Sequence, residues 1–462
     1  MKKNILILLP FMLLSLAGCG ETPSPTPTPT PEPEPLEPET PETPEEPYDM
    51  APIDQELRGC FNFFTFATNY TTGSQGYGLT ADRMTNTSLA SIAATGFLLA
   101  SYPVFVEQGY LSKDDAFEKA DKTLDTVIRI QGDNTTSYGG CLSHFVSTSN
   151  GKRSGDSEIS TIDTTILVAG AITAGEYFKG TVQSKAQTLW GNVNYTQFAI
   201  KKNGRSYISM GVKAPDDPVQ LGAWDYYAEQ LMIYIIGAGN PNENHRISSL
   251  YYKNFTKNVG TYDGISHIYS WFGSIFTYQF SHAFFNFKKY NDYNGRNWYQ
   301  NSVLASQSAY KYCVNNKAKY KTFSETSWGL TACDTPTGYS GLLGSLPRGY
   351  EDKSVAYTSI EGTIAPTGAL GSMPFTPKES YEALKYYQSL PQLCDPAIGL
   401  KDAFNLDFYG TEWYCQDYIG IDKGIEVLQL YNFKNTDFVC DLAMNNPYVI
   451  QGFVNNEFTE VK

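Results

Sequence analysis

Histidine and metal-binding motifs are scarce in this chain. Only four of its 462 residues are histidine, and none of its eight cysteines stands in a Cys-x-x-Cys pair. The sequence also has no His-Glu-x-x-His run. Zinc sites are built from closely spaced cysteine and histidine ligands, so we expect no zinc centre. The sequence indicates neither a metal nor a cofactor.

The motifs of two other enzyme classes are missing as well. There is no Gly-x-Ser-x-Gly elbow and no phosphate-binding loop, which argues against a serine hydrolase and a kinase. The cysteines predict no disulfide framework either. Seven remain after Cys19, and this odd number leaves at least one thiol unpaired.

Positive charge is in short supply. The chain has 34 Lys and Arg against 48 Asp and Glu, and its formal net charge is −14. Nine of the acidic residues lie between Glu21 and Asp49, but the rest of the chain is still net acidic. Proteins that bind nucleic acid neutralise phosphates with Lys and Arg. We therefore exclude nucleic acid as a partner and favour a neutral oligo- or polysaccharide.

Only one long apolar run occurs, and it lies at the start of the sequence. Residues 5–16 follow two lysines and lead into Leu-Ala-Gly-Cys19, the pattern of a bacterial lipoprotein signal. We expect a signal peptide over 1–18 and lipidation of Cys19. The protein would then be held at the outer membrane by its lipid alone, because no other run is long enough to span a bilayer.

Residues 19–49 differ in composition from the rest of the chain. They are rich in Pro, Glu and Thr, and they contain no positive charge and no aromatic residue before Tyr48. Such a segment cannot bury a core, so we predict an extended linker. No second linker of this kind follows, which predicts one domain over residues 50–462. We call this domain the body. We expect this domain to be a monomer.

Six stretches of the body are rich in apolar and small residues. Apolar residues on all sides indicate helices that are buried all round. The six stretches are residues 87–101, 160–178, 222–238, 266–290, 363–372 and 419–433. Residues 113–131 instead have apolar residues at helical spacing among Lys and Asp, which predicts one buried face. Alternating inner and outer helices predict an all-α (α/α)6 toroid.

Other patterns locate helix ends and a long loop. Residues 53–69 read as an outer helix. The run Thr376-Pro377-Lys378-Glu379 has the spacing of a capping box, which predicts a helix starting there. Residues 322–362 are rich in Gly, Pro, Ser and Asp. Long structured loops usually serve function, so we place this one over a pocket.

Several carboxylates stand at the starts of the predicted inner helices. Glycoside hydrolysis needs one protonated carboxyl and one ionised carboxylate. Glu229 lies among aromatic residues, where partial burial would raise its pKa as a general acid requires. Asp163 and Asp407 are candidates for the base, and Asp417 and Asp422 lie near the last inner helix. Each of these acids could instead be a helix cap or complement a helix dipole.

Seven motifs resemble those of the bacterial glycoamylase-like domain and occur in the same order. They are YGLTADR at 77–83, SIAATGF at 91–97, EISTIDT at 158–164, QFSH at 279–282, WGLTACD at 328–334, GTIAPT at 362–367 and YIGIDKG at 418–424. This domain includes glycoside hydrolase family 144, whose characterised members act on β-1,2-glucan. The resemblance implies an (α/α)6 barrel and hydrolysis with inversion at the anomeric carbon.

The resemblance also implies roles for individual residues. Glu229 matches the proposed acid of the family, and Asp163 matches a further carboxylate of the pocket. Endo-acting relatives carry another acid at the position of Ser160, so the choice between endo and exo cleavage stays open. Ser143 stands where a Tyr is expected, which suggests altered sugar contacts.

We expect a further set of residues to bind the sugar through hydrogen bonds or ring stacking. This set comprises Asp82, Arg83, His144, Glu158, Trp224, His282, Trp328, Asp334 and Trp413. The sequence thus predicts an inverting hydrolase of a β-glucan or β-gluco-oligosaccharide. Two alternatives are a glycan-binding lipoprotein without catalysis and a polysaccharide lyase. The lyase is disfavoured because an acidic body does not attract uronates.

Overall fold

The computed structural model describes residues 48–350 and 361–461. The predicted signal peptide, the lipidation site Cys19 and nearly all of the linker lie outside the described residues. Asp49–Lys462 forms one compact unit. Among the described residues, no helix has the length and apolar character needed to cross a bilayer.

Helices make up most of the regular structure in the described residues. They are α1 (Ala51–Ala67), α2 (Ile92–Glu107), α3 (Lys113–Gln131), α4 (Thr161–Phe178), α5 (Gly180–Asn192), α6 (Leu231–Ala238), α7 (Leu250–Asn254), α8 (Phe280–Phe284), α9 (Trp298–Asn315), α10 (Pro366–Leu370), α11 (Pro377–Gln388), α12 (Gly420–Lys434), α13 (Phe438–Met444) and α14 (Pro447–Asn455). Short 3-10 turns span Tyr195–Phe198, Glu243–His245, Ile275–Tyr278 and Phe287–Lys289. The predicted helix-rich fold is confirmed.

Burial alternates along the chain from one helix to the next. Six helices are buried on nearly every side: α2, α4, α6, α8, α10 and α12. By contrast, α1, α3 and α11 each bury one face, as amphipathic helices do. Helix α2 packs against α4 and α12, α4 packs against α6, and α12 packs against α8 and α10. The buried helices therefore contact one another, and α1 covers α12 from outside.

Two glycines explain how closely α2 and α4 approach each other. A Cβ atom on Gly170 would lie 1.9 Å from the Gly96 carbonyl oxygen, and one on Gly96 would lie 2.5 Å from the Leu167 Cα. No side chain fits at either position. A glycine inside a helix costs about 0.5–1 kcal/mol relative to alanine, and the close packing of the two helices offsets that cost.

Short antiparallel strands fill many of the connections, so the chain is not purely helical as predicted. The strands are β1 (Ala81–Arg83), β2 (Asn86–Ser91), β3 (Ser137–Tyr138), β4 (Cys141–Leu142), β5 (Phe145–Ser147), β6 (Ile159–Ser160), β7 (Ala199–Lys202), β8 (Arg205–Ile208), β9 (Gly211–Val212), β10 (Gln220–Leu221), β11 (Val259–Tyr262), β12 (Ile265–Ile268), β13 (Tyr290–Asn291), β14 (Cys333–Thr335), β15 (Gly338–Ser340), β16 (Cys394–Asp395), β17 (Gly399–Leu400), β18 (Phe404–Phe408), β19 (Thr411–Tyr414) and β20 (Thr459–Glu460). In the described residues they form two three-stranded sheets, β1-β2-β5 and β10-β9-β6, and otherwise pairs.

Three of these hairpins follow directly from turn chemistry. Asn203-Gly204 joins β7 to β8, Asp263-Gly264 joins β11 to β12, and Tyr409-Gly410 joins β18 to β19. Both residues of each turn have positive φ. This is the type I′ geometry that matches the twist of a two-stranded ribbon, and it favours Asn-Gly and Asp-Gly.

Three predicted inner helices are shorter than their apolar stretches. The stretch 222–238 is helical only from Leu231, because the Gln230 side chain donates to the Tyr226 carbonyl and accepts from the Ala228 N–H. The stretch 266–290 holds only the five residues of α8 as α-helix. Helix α10 begins at Pro366, which suits the first position of a helix.

The outer helices agree more closely with the sequence patterns. Helix α1 begins and ends two residues before the predicted limits. Helix α11 begins at Pro377 as predicted, but the predicted capping bond of Thr376 is wrong. The Thr376 hydroxyl instead contacts the Ser372 carbonyl and the Ser380 hydroxyl.

Candidate active site

Acidic side chains from strands, loops and the starts of α4 and α12 act on one another's charge. We call the following residues the acidic cluster: Asp82, Asp163, Glu229, Asp334, Asp402, Asp417 and Asp422. Strand β1 brings Arg83 opposite Ile419, the residue before α12, and Gly420 packs against the Ala81 carbonyl. Helix N-termini carry partial positive charge, so these ends favour carboxylates.

Arg83 connects three members of the acidic cluster. Its Nη1 lies 3.1 Å from Asp334 Oδ2 and 3.4 Å from Asp417 Oδ2, and its Nε lies 3.4 Å from Asp82 Oδ2. These carboxylates raise the pKa of Arg83 although its burial opposes the rise. Burial raises the pKa of Asp82, against the lowering effect of Arg83. Arg83 therefore stays charged and fixes the carboxylates around it.

His144 is bound between two carboxylates. Its Nδ1 lies 2.9 Å from Glu158 Oε1, its Nε2 lies 3.6 Å from Asp163 Oδ1, and its ring stacks on Phe145 at 3.8 Å. Burial lowers the pKa of His144, but Asp163, Glu158 and Asp82 outweigh it and raise the value to about 9. The bond with His144 in turn lowers the pKa of Glu158. The ring is therefore an imidazolium at neutral pH.

Asp163 lies in the first turn of α4 and faces His144. Its backbone N–H donates to the Ser160 hydroxyl at 3.2 Å, so Ser160 caps this helix. The Asp163 carboxylate instead pairs with His144. The side chain therefore remains available for chemistry.

Glu229 lies in the turn just before α6 rather than inside a helix. Burial raises the pKa of its carboxyl to about 7, and Asp163 adds to the rise against a hydrogen bond from the Glu229 backbone N–H. The Ser281 hydroxyl donates to the Glu229 carbonyl at 2.7 Å and accepts from the Met232 N–H at 3.2 Å. Glu229 is thus a carboxyl that can hold its proton near neutral pH, on a backbone fixed from α8.

Asp402 and Asp422 form a buried pair that sequence reasoning identified only in part. Burial raises the pKa of Asp402 to about 7, and burial together with Asp402 raises that of Asp422 well above its usual range. Asp402 also accepts the Asp334 N–H at 2.7 Å. Two neighbouring carboxyls that cannot both ionise share a proton. Asp402 stands in a loop with no motif that marks it in the sequence.

Tyr339 is a second residue that the sequence did not reveal. It pairs with Asp334 across the β14–β15 hairpin. The residue as a whole is 53% exposed, but desolvation at its hydroxyl raises the pKa, and the charges of Asp422 and Asp402 raise it further. Tyr339 is thus a neutral hydrogen-bonding group beside the buried acid pair. Tyrosine is frequent in this chain, so composition could not single it out.

The predicted base Asp407 has an exposed side chain. It lies on the β18–β19 hairpin, and its Oδ1 accepts the Gly410 N–H at 2.9 Å. This is the ordinary role of an Asp that stabilises a tight turn. Its position does not support the prediction of a catalytic base.

His282 and Trp328 are buried where a sugar cannot reach them. The His282 Nε2 bonds to the Ser302 hydroxyl at 2.9 Å, the ring packs near Phe287 and Phe375, and burial lowers its pKa to about 3. Trp328 is fully buried, and its indole N–H donates to the Glu379 carbonyl at 3.3 Å. Both side chains serve the core, contrary to the predicted sugar contacts.

The other two predicted tryptophans lie closer to the acidic cluster. Trp224 is buried, and its indole N–H donates to the Thr161 hydroxyl at the start of α4. Trp413 is half-buried on β19 and packs on an apolar group that includes Cys333 and Cys415. Of these two rings, Trp413 retains the larger exposed surface for stacking.

Three side chains of the kinds that bind metal ions lie close together near Arg83. One ligand atom each from Asp334, Asp402 and Cys415 lies within 4.8 Å of the others. Arg83 already pairs with Asp334, and the Cys415 thiol donates to the same carboxylate. A cation would have to compete with the guanidinium, so these residues fit a metal poorly. The seven cysteines of the described residues are free and buried.

One family model matches part of the chain. It is the Glycoamylase model, described as "Putative glucoamylase", and it matches residues 222–447. The matched region runs from the loop that carries Glu229 through α12 and α13. The predicted resemblance to the glycoamylase-like domain is therefore confirmed.

One curated protein and several solved structures are similar to this chain. An exo β-1,2-glucooligosaccharide sophorohydrolase (non-reducing end) of Parabacteroides distasonis is 24% identical over 407 residues, which cover 79% of this chain and 52% of that protein. The chain thus spans about half the length of this relative.

Two of the solved structures are β-1,2-glucanases. The endo-β-1,2-glucanase from Chitinophaga pinensis, in a sophorotriose and glucose complex, has a TM-score of 0.74 at 20% identity, with 88% of this chain and 98% of that chain covered. A β-1,2-glucanase from Parabacteroides distasonis has a TM-score of 0.73 at 21% identity, with 88% and 60% covered. At these identities the likeness shows a shared fold.

Proposed function

We propose that the protein is an inverting glycoside hydrolase that cleaves a β-glucan or β-gluco-oligosaccharide, with β-1,2 linkages favoured. The observation that carries this proposal is Glu229, a carboxyl with a pKa of about 7 beside the ion pair of His144 and Asp163. Glycoside hydrolysis uses a protonated carboxyl group, whose pKa is raised, near a second carboxylate.

Glu229 acts as the general acid in this proposal. It donates its proton to the glycosidic oxygen, directly or through a sugar hydroxyl or water, as the bond from that oxygen to the anomeric carbon breaks. A general acid works best when its pKa lies near the working pH. The bond from Ser281 holds the turn that presents Glu229, so the carboxyl does not have to be positioned during each turnover.

Asp163 is the proposed general base. It removes a proton from the water that attacks the opposite face of the anomeric carbon, and the new C–O bond has inverted configuration. The His144 imidazolium, 3.6 Å from Asp163 Oδ1, orients this carboxylate. Asp163 is preferred to Asp402 and Asp422 because it is the carboxylate whose charge acts on Glu229.

The architecture that we propose is an (α/α)6 toroid. The six buried helices form its inner ring, and the amphipathic helices, of which α1, α3 and α11 are the clearest, belong to its outer ring. The N-terminal ends of the inner helices then face one opening, which holds the acidic cluster. Asp82, Arg83, Glu158 and Asp334 would donate or accept hydrogen bonds with sugar hydroxyls at this opening, and Trp413 would offer a ring.

The substrate proposal rests on what the relatives act on. The similar curated protein is named for β-1,2-gluco-oligosaccharides, and two similar structures are named for β-1,2-glucan. The net acidic character of the body agrees with a neutral substrate. We also propose that Cys19 carries a lipid that holds the enzyme at the outer membrane.

Product analysis tests the proposed reaction. The purified body would be incubated with β-1,2, β-1,3, β-1,4 and β-1,6 glucans, and the new reducing ends would be observed by proton NMR within the first turnovers. We expect α-anomeric ends from β-1,2 substrates. Heat of binding without new reducing ends would indicate a glycan-binding protein instead. New ends in the β-configuration would overturn the inverting mechanism.

A further inference from the structure

Trp271 differs from every other tryptophan of the chain. All six tryptophans lie in the described residues, and Trp271 alone is exposed, at 41% of its surface. The others are buried apart from the half-buried Trp413. Exposure of one large ring is not unusual by itself, so its meaning depends on what surrounds it.

Among the described residues, two aromatic rings lie close to the Trp271 indole. The ring centroid of Tyr226 lies 5.1 Å away at an interplanar angle of 70°, and that of Tyr350 lies 6.1 Å away at 59°. Neither ring is parallel to the indole. Gly349 lies against the six-membered ring of the indole, where an added Cβ would be 2.6 Å from Cε3. The Tyr350 N–H donates to the Trp271 carbonyl at 2.8 Å, which fixes the backbone.

Tyr226 links this ring to the proposed acid. Glu229 is the third residue after Tyr226, and adjacent Cα atoms are 3.8 Å apart, so their Cα atoms are at most about 11 Å apart. The Gln230 side chain draws the turn together by donating to the Tyr226 carbonyl and accepting from the Ala228 N–H, both at 2.7 Å. The ring is thus within a few sugar units of Glu229.

The loop 340–350 contacts both the neighbourhood of Asp334 and the backbone near Trp271. Leu343 packs with Cys333 and Cys415, which adjoin Asp334, and its carbonyl accepts from the Ser274 hydroxyl. The Ser345 N–H donates to the carbonyl of Gly273, two residues after Trp271, at 3.1 Å. Trp271 therefore stands on the side of the molecule that carries the acids.

The geometry points to Trp271, supported by Tyr226, as the platform of a sugar-binding subsite for one glucosyl ring of the glucan, a few units from the bond that is cut. A β-glucosyl ring carries its hydroxyls equatorially and so presents apolar C–H faces, which stack on aromatic rings. The assignment rests on the proposed function, because it takes the ligand to be a β-glucan chain that passes Glu229.

Binding to oligosaccharides of increasing length tests this subsite. The titrations use the full body with Glu229→Gln, which should bind without turnover, and β-1,2 gluco-oligosaccharides of two to seven units. We expect affinity to rise at the length that reaches Trp271. Adding Trp271→Ala should remove that rise and weaken binding of the longer chains about tenfold, while Trp271→Phe should retain much of it.

Phe66→Ala is the matched control, since Phe66 is also an exposed aromatic residue but lies on the outer helix α1. It should leave all affinities unchanged. Equal affinities with and without the Trp271 ring, or equal weakening for short and long chains, would overturn the platform. The hydrolase proposal fails separately, if the parent body releases no reducing ends from any glucan or if Glu229→Gln retains full turnover.

Discussion

The Ser281 hydroxyl donates a hydrogen bond of 2.7 Å to the carbonyl oxygen of Glu229, and it accepts one from the Met232 N–H. A residue of α8 thereby fixes the turn between the Tyr226 region and α6. The Glu229 carboxyl itself is untouched by this bond. The position of Glu229 therefore depends on the contact of α8 with this turn and with α6, as well as on its own loop.

Ser281→Ala should therefore slow turnover while leaving the acid in place. We expect kcat to fall about tenfold with little change in KM, because the carboxyl is less well positioned and the ground-state sugar contacts persist. Ser101→Ala is the control, since the hydroxyl of that buried serine donates to the Phe97 carbonyl within its own helix. Both variants should lose about 1 kcal/mol of stability. Equal kcat values for the two variants would contradict the positioning role.

The rate should fall as the pH rises through about 7. Burial raises the pKa of Glu229 to that value, and only its protonated form can donate to the glycosidic oxygen. In kcat/KM measured from pH 4 to 10, the alkaline limb should thus have its midpoint near 7. A rate that stays constant up to pH 9 would show that another group supplies the proton.

His144 should stabilise the folded protein in a defined pH window. Its pKa is raised from 6.5 to about 9 by Asp163, Glu158 and Asp82 against the effect of burial. The stability contributed by its charge is full below about pH 6.5, declines between 6.5 and 9, and is lost above 9. The deficit of a His144→Gln variant in urea unfolding should shrink across this range. His245→Gln is the control, because that ring contacts Gly191 and Asn242 and no carboxylate.

A buried lysine joins α12 to α1. Lys423 Nζ lies 2.6 Å from Glu56 Oε1 and 3.0 Å from Glu426 Oε2, and all three side chains are almost fully buried. Lys423→Met would leave two carboxyls without their cation, so we expect a loss of about 3–5 kcal/mol in the free energy of unfolding. Lys122→Met removes the exposed pair with Glu118 and should change nothing measurable. Similar results for both variants would show that the buried pair is not needed.

Helices whose ends depend on local chemistry could be predicted from sequence, and others could not. Helix α1 agrees with the prediction to within two residues, and α11 starts where predicted, because amphipathic spacing and Pro377 act locally. The stretch 222–238 failed because the Gln230 side chain takes backbone groups that a helix would use. The turn residues Asn203-Gly204 and Asp263-Gly264 do predict hairpins, but the apolar content of a long stretch does not reveal a signal of two residues.

The acids of the site divide in a similar way. Glu229 and Asp163 could be named because aromatic neighbours and helix starts marked them. Asp402 could not, because its pKa is raised by burial, which depends on how distant parts of the chain pack around it. The exposure of Trp271 and the burial of Trp328 likewise depend on tertiary contacts, which residue type does not encode.

The central claim is that Glu229 donates the proton in glucan hydrolysis, and the turnover of the Glu229→Gln variant tests it most directly. Glutamine keeps the size and polarity of the side chain but cannot donate as an acid. On β-1,2-glucan near neutral pH, we expect turnover to fall about 10³-fold or more, with ligand affinity and thermal stability close to those of the parent. Turnover within a few-fold of the parent would contradict the account.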